Sequence, residues 1–294
     1  DDTVTDAPVK LNTEGIFGFG DDGSVCDITN LVSNVGVVAT DVTGVGTARK
    51  ILAACEYGYD KGIFGFGSTG SITAITNLVS NAGVVATDVT GVGTARGELA
   101  ACGYGEDKGI FGFGDAAGNV SMTNLVSNAG VVATDTTGVG TARQQLAACE
   151  YGGDKGIFGF GTIPGVQSMT NLVSNAGVVA TDVTGVGTAR RNIAACQYGT
   201  NKDKGIFGFG TTGSVTAVTN LVSNVGVVAS DVTGVGTTRE ALAACGYGED
   251  KGIFGFGATG PDAVTNLVSN TGVVATDTTG VGTARGELAA CSFN

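Results

Sequence analysis

Six similar stretches of this chain each carry an Asp and, eight residues later, an Arg. A carboxylate beside a guanidinium could serve acid–base chemistry or anion binding. Six equivalent copies argue against catalysis, because a catalytic group needs a pKa that differs from those of its neighbours. We therefore expect structural pairs, in which the Asp accepts hydrogen bonds within its own Thr-Gly-Val-Gly-Thr turn and the Arg holds the start of the next strand. The set comprises Asp41, Asp88, Asp135, Asp182, Asp231, Asp277, Arg49, Arg96, Arg143, Arg190, Arg239 and Arg285.

An aromatic residue also recurs in each stretch, two positions after a Cys. Six rings around a central axis could stack on the apolar faces of sugars or peptides, or could close the mouth of a channel. Both alternatives stay open at this stage. The candidate binding residues are Tyr57, Tyr104, Tyr151, Tyr198, Tyr247 and Phe293.

The other chemistry-bearing residues favour no reaction. The chain has no His, and its seven Cys include no Cys-x-x-Cys pair. Six of these Cys occupy one position of the repeat, which is typical of small buried core residues and not of disulfides or metal ligands. Without a nucleophile beside a base or a metal cluster, we predict no catalytic residues, no metal, no cofactor and no enzymatic activity.

Charge and hydropathy exclude two classes of partner. The formal net charge is −12, and the Lys and Arg residues are spread through the repeats without forming a basic patch. We therefore expect no nucleic-acid partner. No apolar run reaches the roughly 18 residues that a membrane-spanning helix needs, so we expect no membrane insertion.

These residues are positioned by a repeat of about 47 residues, a period typical of solenoids and propellers. Within one copy, strands are predicted over 95–102, 108–114, 122–126 and 131–134, joined by glycine-rich turns. Four short antiparallel strands per copy predict an all-β fold, a six-bladed β-propeller. A parallel β-solenoid is the alternative, but its coils are shorter than this repeat. The copies begin near Gly15, Gly62, Gly109, Gly156, Gly205 and Gly252.

The ends of the chain complement each other. The first copy has no Ala-Ala-Cys strand before it, whereas the last copy stops just after Ala289-Ala290-Cys291. We predict that this C-terminal strand completes the first blade and closes the ring, which would leave no open edge there. Residues 15–294 are then one domain. Residues 1–14 match no repeat position and are interpreted as an arm or as the remnant of a longer chain.

The copies differ from one another mainly in two sets of turns, and binding sites often lie on such variable loops. One set follows the first strand of each copy, and the other follows the second strand. The first set is 56–60, 103–107, 150–154, 197–203 and 246–250, and the second is 21–27, 68–74, 115–121, 162–168, 211–217 and 258–263.

The order of features within a copy resembles the kelch type of propeller blade. There, an Arg precedes a small-residue inner strand, and a second strand ends in glycine after a turn; Arg96 to Cys102 and Lys108 to Gly114 follow that order. The repeats are similar to those in tail and other virion proteins of marine bacteriophages, including cyanophages. The kelch glycine doublet is reduced to one Gly, and the usual Trp is absent. Copper oxidases of this architecture bind copper through His and Tyr ligands. Because this chain has no His, the resemblance does not extend to copper binding.

The resemblance implies a structural or adhesive module of a phage tail or fibre, located on a virion or outside a cell. Its partners would be other virion or surface proteins, further copies of the chain, or a cell-surface glycan. One alternative is a carbohydrate-binding lectin that uses the aromatic ring. Another is a self-assembling extracellular filament, in which residues 1–14 dock on the next ring.

Overall fold

The regular structure consists of eighteen β-strands and one short 3₁₀ turn, Thr200–Lys202, in a computed structural model that describes residues 12–258 and 261–294. No helix in these ranges is long and apolar enough to cross a membrane. The prediction of an all-β fold is confirmed. The strands are β1 Glu14–Asp21, β2 Val25–Val32, β3 Ala53–Tyr57, β4 Lys61–Gly65, β5 Thr76–Val79, β6 Ala100–Tyr104, β7 Lys108–Gly112, β8 Thr123–Val126, β9 Ala147–Tyr151, β10 Lys155–Gly159, β11 Thr170–Val173, β12 Ala194–Tyr198, β13 Lys204–Gly208, β14 Thr219–Val222, β15 Ala243–Tyr247, β16 Lys251–Ala258, β17 Pro261–Val268 and β18 Ala289–Phe293.

The strands form six antiparallel sheets of three strands each. In five of them the strands are consecutive, as in β3-β4-β5, and the sixth has the order β18-β1-β2. Ile16 of β1 lies opposite Cys291 of β18, which confirms that the C-terminal strand completes the first unit. The Thr13 N–H donates to the carbonyl oxygen of Asn294 at 2.8 Å, so the folded part begins before residue 15. The rest of the predicted arm, residues 1–11, lies outside the described residues.

The core lies between neighbouring sheets and is the same at each junction. The Gly-Ile-Phe-Gly segment forms the middle strand, and its Ile and Phe side chains are fully buried. A Cβ on Gly65 would lie only 2.7 Å from Cζ of Phe111 in the next sheet, so this glycine makes room for that ring. Phe111 also meets Phe66 edge to face, with 5.2 Å between ring centres.

The fourth predicted strand of each unit is absent as a continuous strand in the described residues. Its segment contacts the third strand through two isolated bridges, for example Val79 with Val85 and Thr76 with Val89. Between these bridges the Asn77 side chain donates to the carbonyl oxygen of Ala86 at 2.9 Å and to Asp88 Oδ1 at 2.9 Å. The Asn77 side-chain amide therefore takes the place of the backbone N–H groups that would pair the two segments in a regular β-sheet. The prediction of four full strands is wrong, and each sheet has three.

The first strands of the sheets, β3, β6, β9, β12, β15 and β18, contact one another in cyclic order, and β18 contacts β3. We call the centre of this cycle the axis. Backbone hydrogen bonds follow the same cycle near the C-terminal ends of these strands. Gly58 donates to Asp107 and Gly105 to Asp154, and the series ends with Gly248 donating to Thr13 and Asn294 to Asp60, at 2.8–3.0 Å. Every sheet is thus joined to the next, including the last to the first.

Candidate functional site

The six Arg side chains are fully buried and act as clamps inside the fold. Arg96 Nε donates to the carbonyl oxygen of Phe113 at 2.9 Å, and its Nη2 donates to Asn124 Oδ1 at 2.7 Å. Its guanidinium lies 4.2 Å above the ring centre of Phe66 in the preceding sheet. One Arg therefore holds two strands of its own sheet and covers an aromatic face of the neighbour.

The Asp partner differs from the one expected. Asp135 accepts hydrogen bonds from the backbone N–H and the hydroxyl of Thr94, and its Oδ1 lies 4.0 Å from Arg96 Nη1. The expected pairing within one turn, Asp88 with Arg96, is not made. Each carboxylate instead bonds to the Thr-Gly-Val-Gly-Thr turn of the preceding copy. That turn connects the last strand of one sheet to the first strand of the next, so its end lies against the sheet that carries the Asp.

Burial and hydrogen bonding together set the pKa values of both members of these clamps. Burial lowers the pKa of Arg96 to about 10, with Asp135 opposing the change, so the guanidinium is charged at neutral pH. For Asp135, burial alone would raise the pKa, but hydrogen bonds from Thr94 and Asn124 outweigh it and lower the pKa. The clamp is thus an ion pair supported by neutral donors.

The aromatic set is buried between sheets. The five Tyr side chains are 3–4 % exposed and Phe293 is fully buried. The ring of Tyr104 lies over Gly177 in the hairpin of the next sheet, where a Cβ would come within 2.9 Å of the ring. Burial raises the pKa of Tyr57 and of Tyr198 to about 12. Stacking on a sugar requires an accessible ring face, and these rings use their faces to pack against glycine.

The six repeated Cys are free and buried, which confirms their prediction as core thiols. Cys55 Sγ lies 2.5 Å from the position that a Cβ on Gly109 would occupy, so each thiol fills the space that a glycine of the next sheet leaves. Burial raises the pKa of Cys55 far above its usual range. These thiols are packing groups, since a reactive cysteine needs a lowered pKa and exposure.

One end of the axis opens into a cavity of about 110 Å³ that we call the axial cup. Its floor is a collar of six large aliphatic side chains, and its rim consists of the residues that immediately precede them. The floor residues are Leu52, Leu99, Leu146, Ile193, Leu242 and Leu288, and the rim residues are Ile51, Glu98, Gln145, Asn192, Ala241 and Glu287.

The rim is held by its own backbone. Each rim residue has a positive φ between 51° and 57°, a conformation that non-glycine residues rarely adopt. In this conformation the N–H of each donates to the carbonyl oxygen of the rim residue in the preceding copy, as from Glu98 to Ile51 at 2.9 Å. The sixth bond, from Ile51 to Glu287 at 2.8 Å, closes the circle. The rim backbone is thus the same in all six copies, and the copies differ there only in their side chains.

Polar side chains of the rim are incompletely paired. Gln145 Nε2 donates to Glu98 Oε1 at 3.1 Å, which leaves Glu98 Oε2 and Gln145 Oε1 buried without a partner. On the other side, Lys50 Nζ lies 3.0 Å from Glu287 Oε2 and 2.7 Å from Asp21 Oδ2. Burial is the main cause of the raised pKa of Glu98, with the hydrogen bond from Gln145 opposing it. The cup thus presents two free acceptor oxygens above an apolar floor.

At the opposite end of the axis lie Glu56, Glu150, Gln197 and Lys202, which we call the axial plug. Glu56 of β3 accepts hydrogen bonds from Gln197 Nε2 of β12 and from Lys202 Nζ of the 3₁₀ turn that follows β12. Gly103 has no side chain, and the carboxylate of Glu150 occupies the space where its Cβ would be. Lys202 reaches the axis from the 3₁₀ turn of a loop that is two residues longer than its counterparts. The axis is therefore open at the cup and largely occupied at the plug, where a smaller cavity of about 50 Å³ remains.

Sequence reasoning missed the cup and the role of the plug. The rim positions hold Ile, Glu, Gln, Asn, Ala and Glu in copies that are otherwise nearly identical, and this variation marks them. The variable turn at 56–60 does contain Glu56, but strand β3 extends through Tyr57 and places Glu56 at the axis. Variation among the copies therefore marks both the cup and the plug. It occurs at positions around the axis as well as in the exposed turns.

No protein-family model matches the chain, and no curated protein matches its sequence. Among solved structures, one that resembles it is a novel fungal alcohol oxidase with catalytic diversity among the AA5 family, in complex with copper. The TM-score is 0.57 at 15 % sequence identity, and the match covers 94 % of this chain and 65 % of the oxidase. At this identity the likeness concerns the fold alone.

This likeness overturns the prediction that the chain is not an enzyme, because a solved structure that shares the fold is an oxidase. The fold thus gives no ground for excluding catalysis. The residues present do not fit a copper ion, however. The chain has no His, the described residues contain no group of three potential metal-ligating side chains, and the repeated Cys are buried. No reaction step through copper follows for this chain.

Proposed function

We propose that the chain is a six-bladed β-propeller that acts as a binding module, with the axial cup as its ligand site. The propeller is supported by the cyclic contacts of the first strands and by the two circles of backbone hydrogen bonds. Each sheet then corresponds to one blade. The three-stranded sheets with a bridged outer segment would be shortened blades.

A single observation carries the choice of site: the cup contains two buried acceptor oxygens, on Glu98 and Gln145, that lack a partner. A buried polar group without a hydrogen bond costs about 1–3 kcal/mol, so such groups need a reason. A ligand that donates to them supplies that reason. The repeats also vary at this rim, whereas the clamps and the core keep the same residues in every copy.

The role of the module in the organism stays a prediction. An attachment function on a virion or outside a cell, with surface proteins or glycans as partners, rests on the resemblance of the repeats. The lectin alternative used the aromatic ring, and the burial of those rings removes its argument. The filament alternative depends on residues 1–14, most of which lie outside the described residues.

A fragment screen tests the proposal. We would add a library of small polar and apolar fragments to isotopically labelled protein and follow the backbone amide signals by NMR. Hits in the cup should shift the signals of rim residues such as Glu98 and Gln145. The variant Ala241→Ile should abolish these shifts, because it narrows the cup with a residue that Ile51 shows to be compatible with the same φ.

The matched control is Ala129→Ile, which makes the same change at an exposed hairpin tip that does not line the cup. It should leave the fragment hits unchanged. The proposal would be wrong if no fragment shifts the rim signals, or if rim shifts persist in Ala241→Ile.

A further inference from the structure

Resting on the proposed function, we infer that the axial cup binds a primary ammonium group carried on a short apolar chain. Three features of the cup lead to this ligand class: its charge, its free acceptors and its floor.

Negative charge dominates the surroundings of the cup. Glu98 and Glu287 stand on the rim, and Asp115 lies close enough to Glu98 to raise the pKa of that carboxyl. The cations near the rim are Lys50 and Arg191, and Lys50 is already shared between Asp21 and Glu287. Glu240 accepts a hydrogen bond from Asn192 and carries a further negative charge. The rim and its immediate neighbours thus hold five carboxylates and two cations, an excess of negative charge that favours a cationic ligand.

The free acceptors restrict the kind of cation. Glu98 Oε2 and Gln145 Oε1 both need a donor, and the side chains that carry them are linked by one hydrogen bond. A primary ammonium has three N–H donors and can serve both oxygens. A quaternary ammonium has none, and an anion would be repelled. The site therefore selects for N–H groups as well as for positive charge.

The floor restricts the rest of the ligand. Six Leu and Ile side chains line it, and a chain of methylene groups placed there leaves water for an apolar surface. A dry cavity of about 150 Å³ can hold one benzene molecule. A cup of about 110 Å³ accordingly accommodates an alkyl chain of about four carbons. n-Butylammonium is thus the probe that matches both ends of the site.

The test is an NMR titration of the full chain with n-butylammonium, n-butyltrimethylammonium and n-butanol at constant ionic strength. We expect n-butylammonium to shift the rim amide signals with a dissociation constant at least about tenfold below those of the other two, because charged hydrogen bonds are the strong ones. Equal affinity for n-butylammonium and n-butanol would overturn the inference.

Variants identify the residues responsible. Glu98→Gln should weaken n-butylammonium binding about tenfold or more, and Gln145→Leu should weaken it without changing the charge. Glu249→Gln is the matched control, because it removes the same charge at an exposed position outside the cup. Thermal melting shows whether each variant is folded. Unchanged affinity in a folded Glu98→Gln protein contradicts the inference.

The two proposals can fail separately. If fragments of another class shift the rim signals and Ala241→Ile abolishes the shifts, the binding function stands and the ammonium assignment is wrong. If no probe or fragment shifts them, the binding function itself is wrong.

Discussion

The carboxylate of Asp41 accepts a hydrogen bond of 2.6 Å from the hydroxyl of Thr283, which lies 242 positions further along the chain. The same bond joins Thr47 to Asp88 at 2.6 Å. It recurs at all four remaining junctions between consecutive copies. The contact between the two ends of the chain is therefore chemically identical to those inside it. The cycle of sheets is held by the same joint at every junction.

Removing the terminal joint should cost as much as removing an internal one. We expect Asp41→Ala and Asp135→Ala each to lower the free energy of unfolding by about 1–3 kcal/mol, because each leaves a Thr and an Asn donor unpaired. Urea denaturation at neutral pH measures both. A neutral Asp41→Ala beside a destabilised Asp135→Ala would mean that the ends are not joined in solution.

The Arg clamp should not tolerate Lys. In Arg143→Lys the charge remains, but the planar fork that reaches Phe160 and Asn171 is lost. We expect a loss of about 2–5 kcal/mol, since buried acceptors and a buried charge lose their partners. Arg191→Lys is the control, because Arg191 is exposed and should change stability by less than about 0.5 kcal/mol. Equal stabilities of the two variants in urea would contradict the clamp.

The tyrosines should matter for packing and little for their hydroxyl groups. Tyr104→Phe should have nearly wild-type stability, because Phe293 occupies the equivalent position in the last copy. Tyr104→Ala should cost about 3–5 kcal/mol, since it opens a cavity against Gly177. Thermal unfolding of the two variants distinguishes these effects. A Tyr104→Ala protein as stable as Tyr104→Phe would show that the ring is not buried.

The axial plug should make stability depend on pH. Burial, and then the nearby Glu56, raise the pKa of Glu150, while Lys202 opposes the rise. Between the unfolded and the folded pKa the native state holds more protons, so this group's contribution to stability falls as pH increases. We expect Glu150→Gln to gain stability relative to wild type as the pH goes from about 5 to about 8. A stability difference that does not change with pH would contradict this.

The thiols should react in two classes. Six Cys are buried and Cys26 is partly exposed. Because burial raises the pKa of all seven, we expect one thiol to react slowly with a disulfide reagent in the native protein. All seven should react in denaturant. Absorbance of the released thiolate gives the count, and rapid labelling of several Cys in the native state would be inconsistent with the core described above.

The repeat pattern was sufficient to predict the all-β fold and the pairing of β1 with β18, because both follow from hydrophobic alternation and from the complementary chain ends. It could not predict that Asn77 bonds to Ala86 and Asp88, which interrupts the fourth strand. Residue type showed that Asn77 was polar, but only the fold determines which backbone groups it meets.

The candidate site was harder to predict for a related reason. The sixfold repetition of Asp and Arg predicts structural roles, yet Asp135 bonds to Thr94 of the preceding copy, and a sequence gives no sign of where a turn crosses to the next sheet. Glu98 and Gln145 lie 47 positions apart and meet only because the copies surround one axis. A pattern that repeats hides such contacts, since each copy looks complete by itself.

The circle of backbone bonds through Ile51 and Glu287 uses one residue from each copy. Its circumference is therefore set by how many copies surround the axis. Duplicating one unit would widen the bore of the cup in a single event, and deleting one would narrow it, with no change to any side chain. In such a chain, recombination between near-identical units is a direct route to a cup of a new size, and point substitution at the rim then adjusts its polarity.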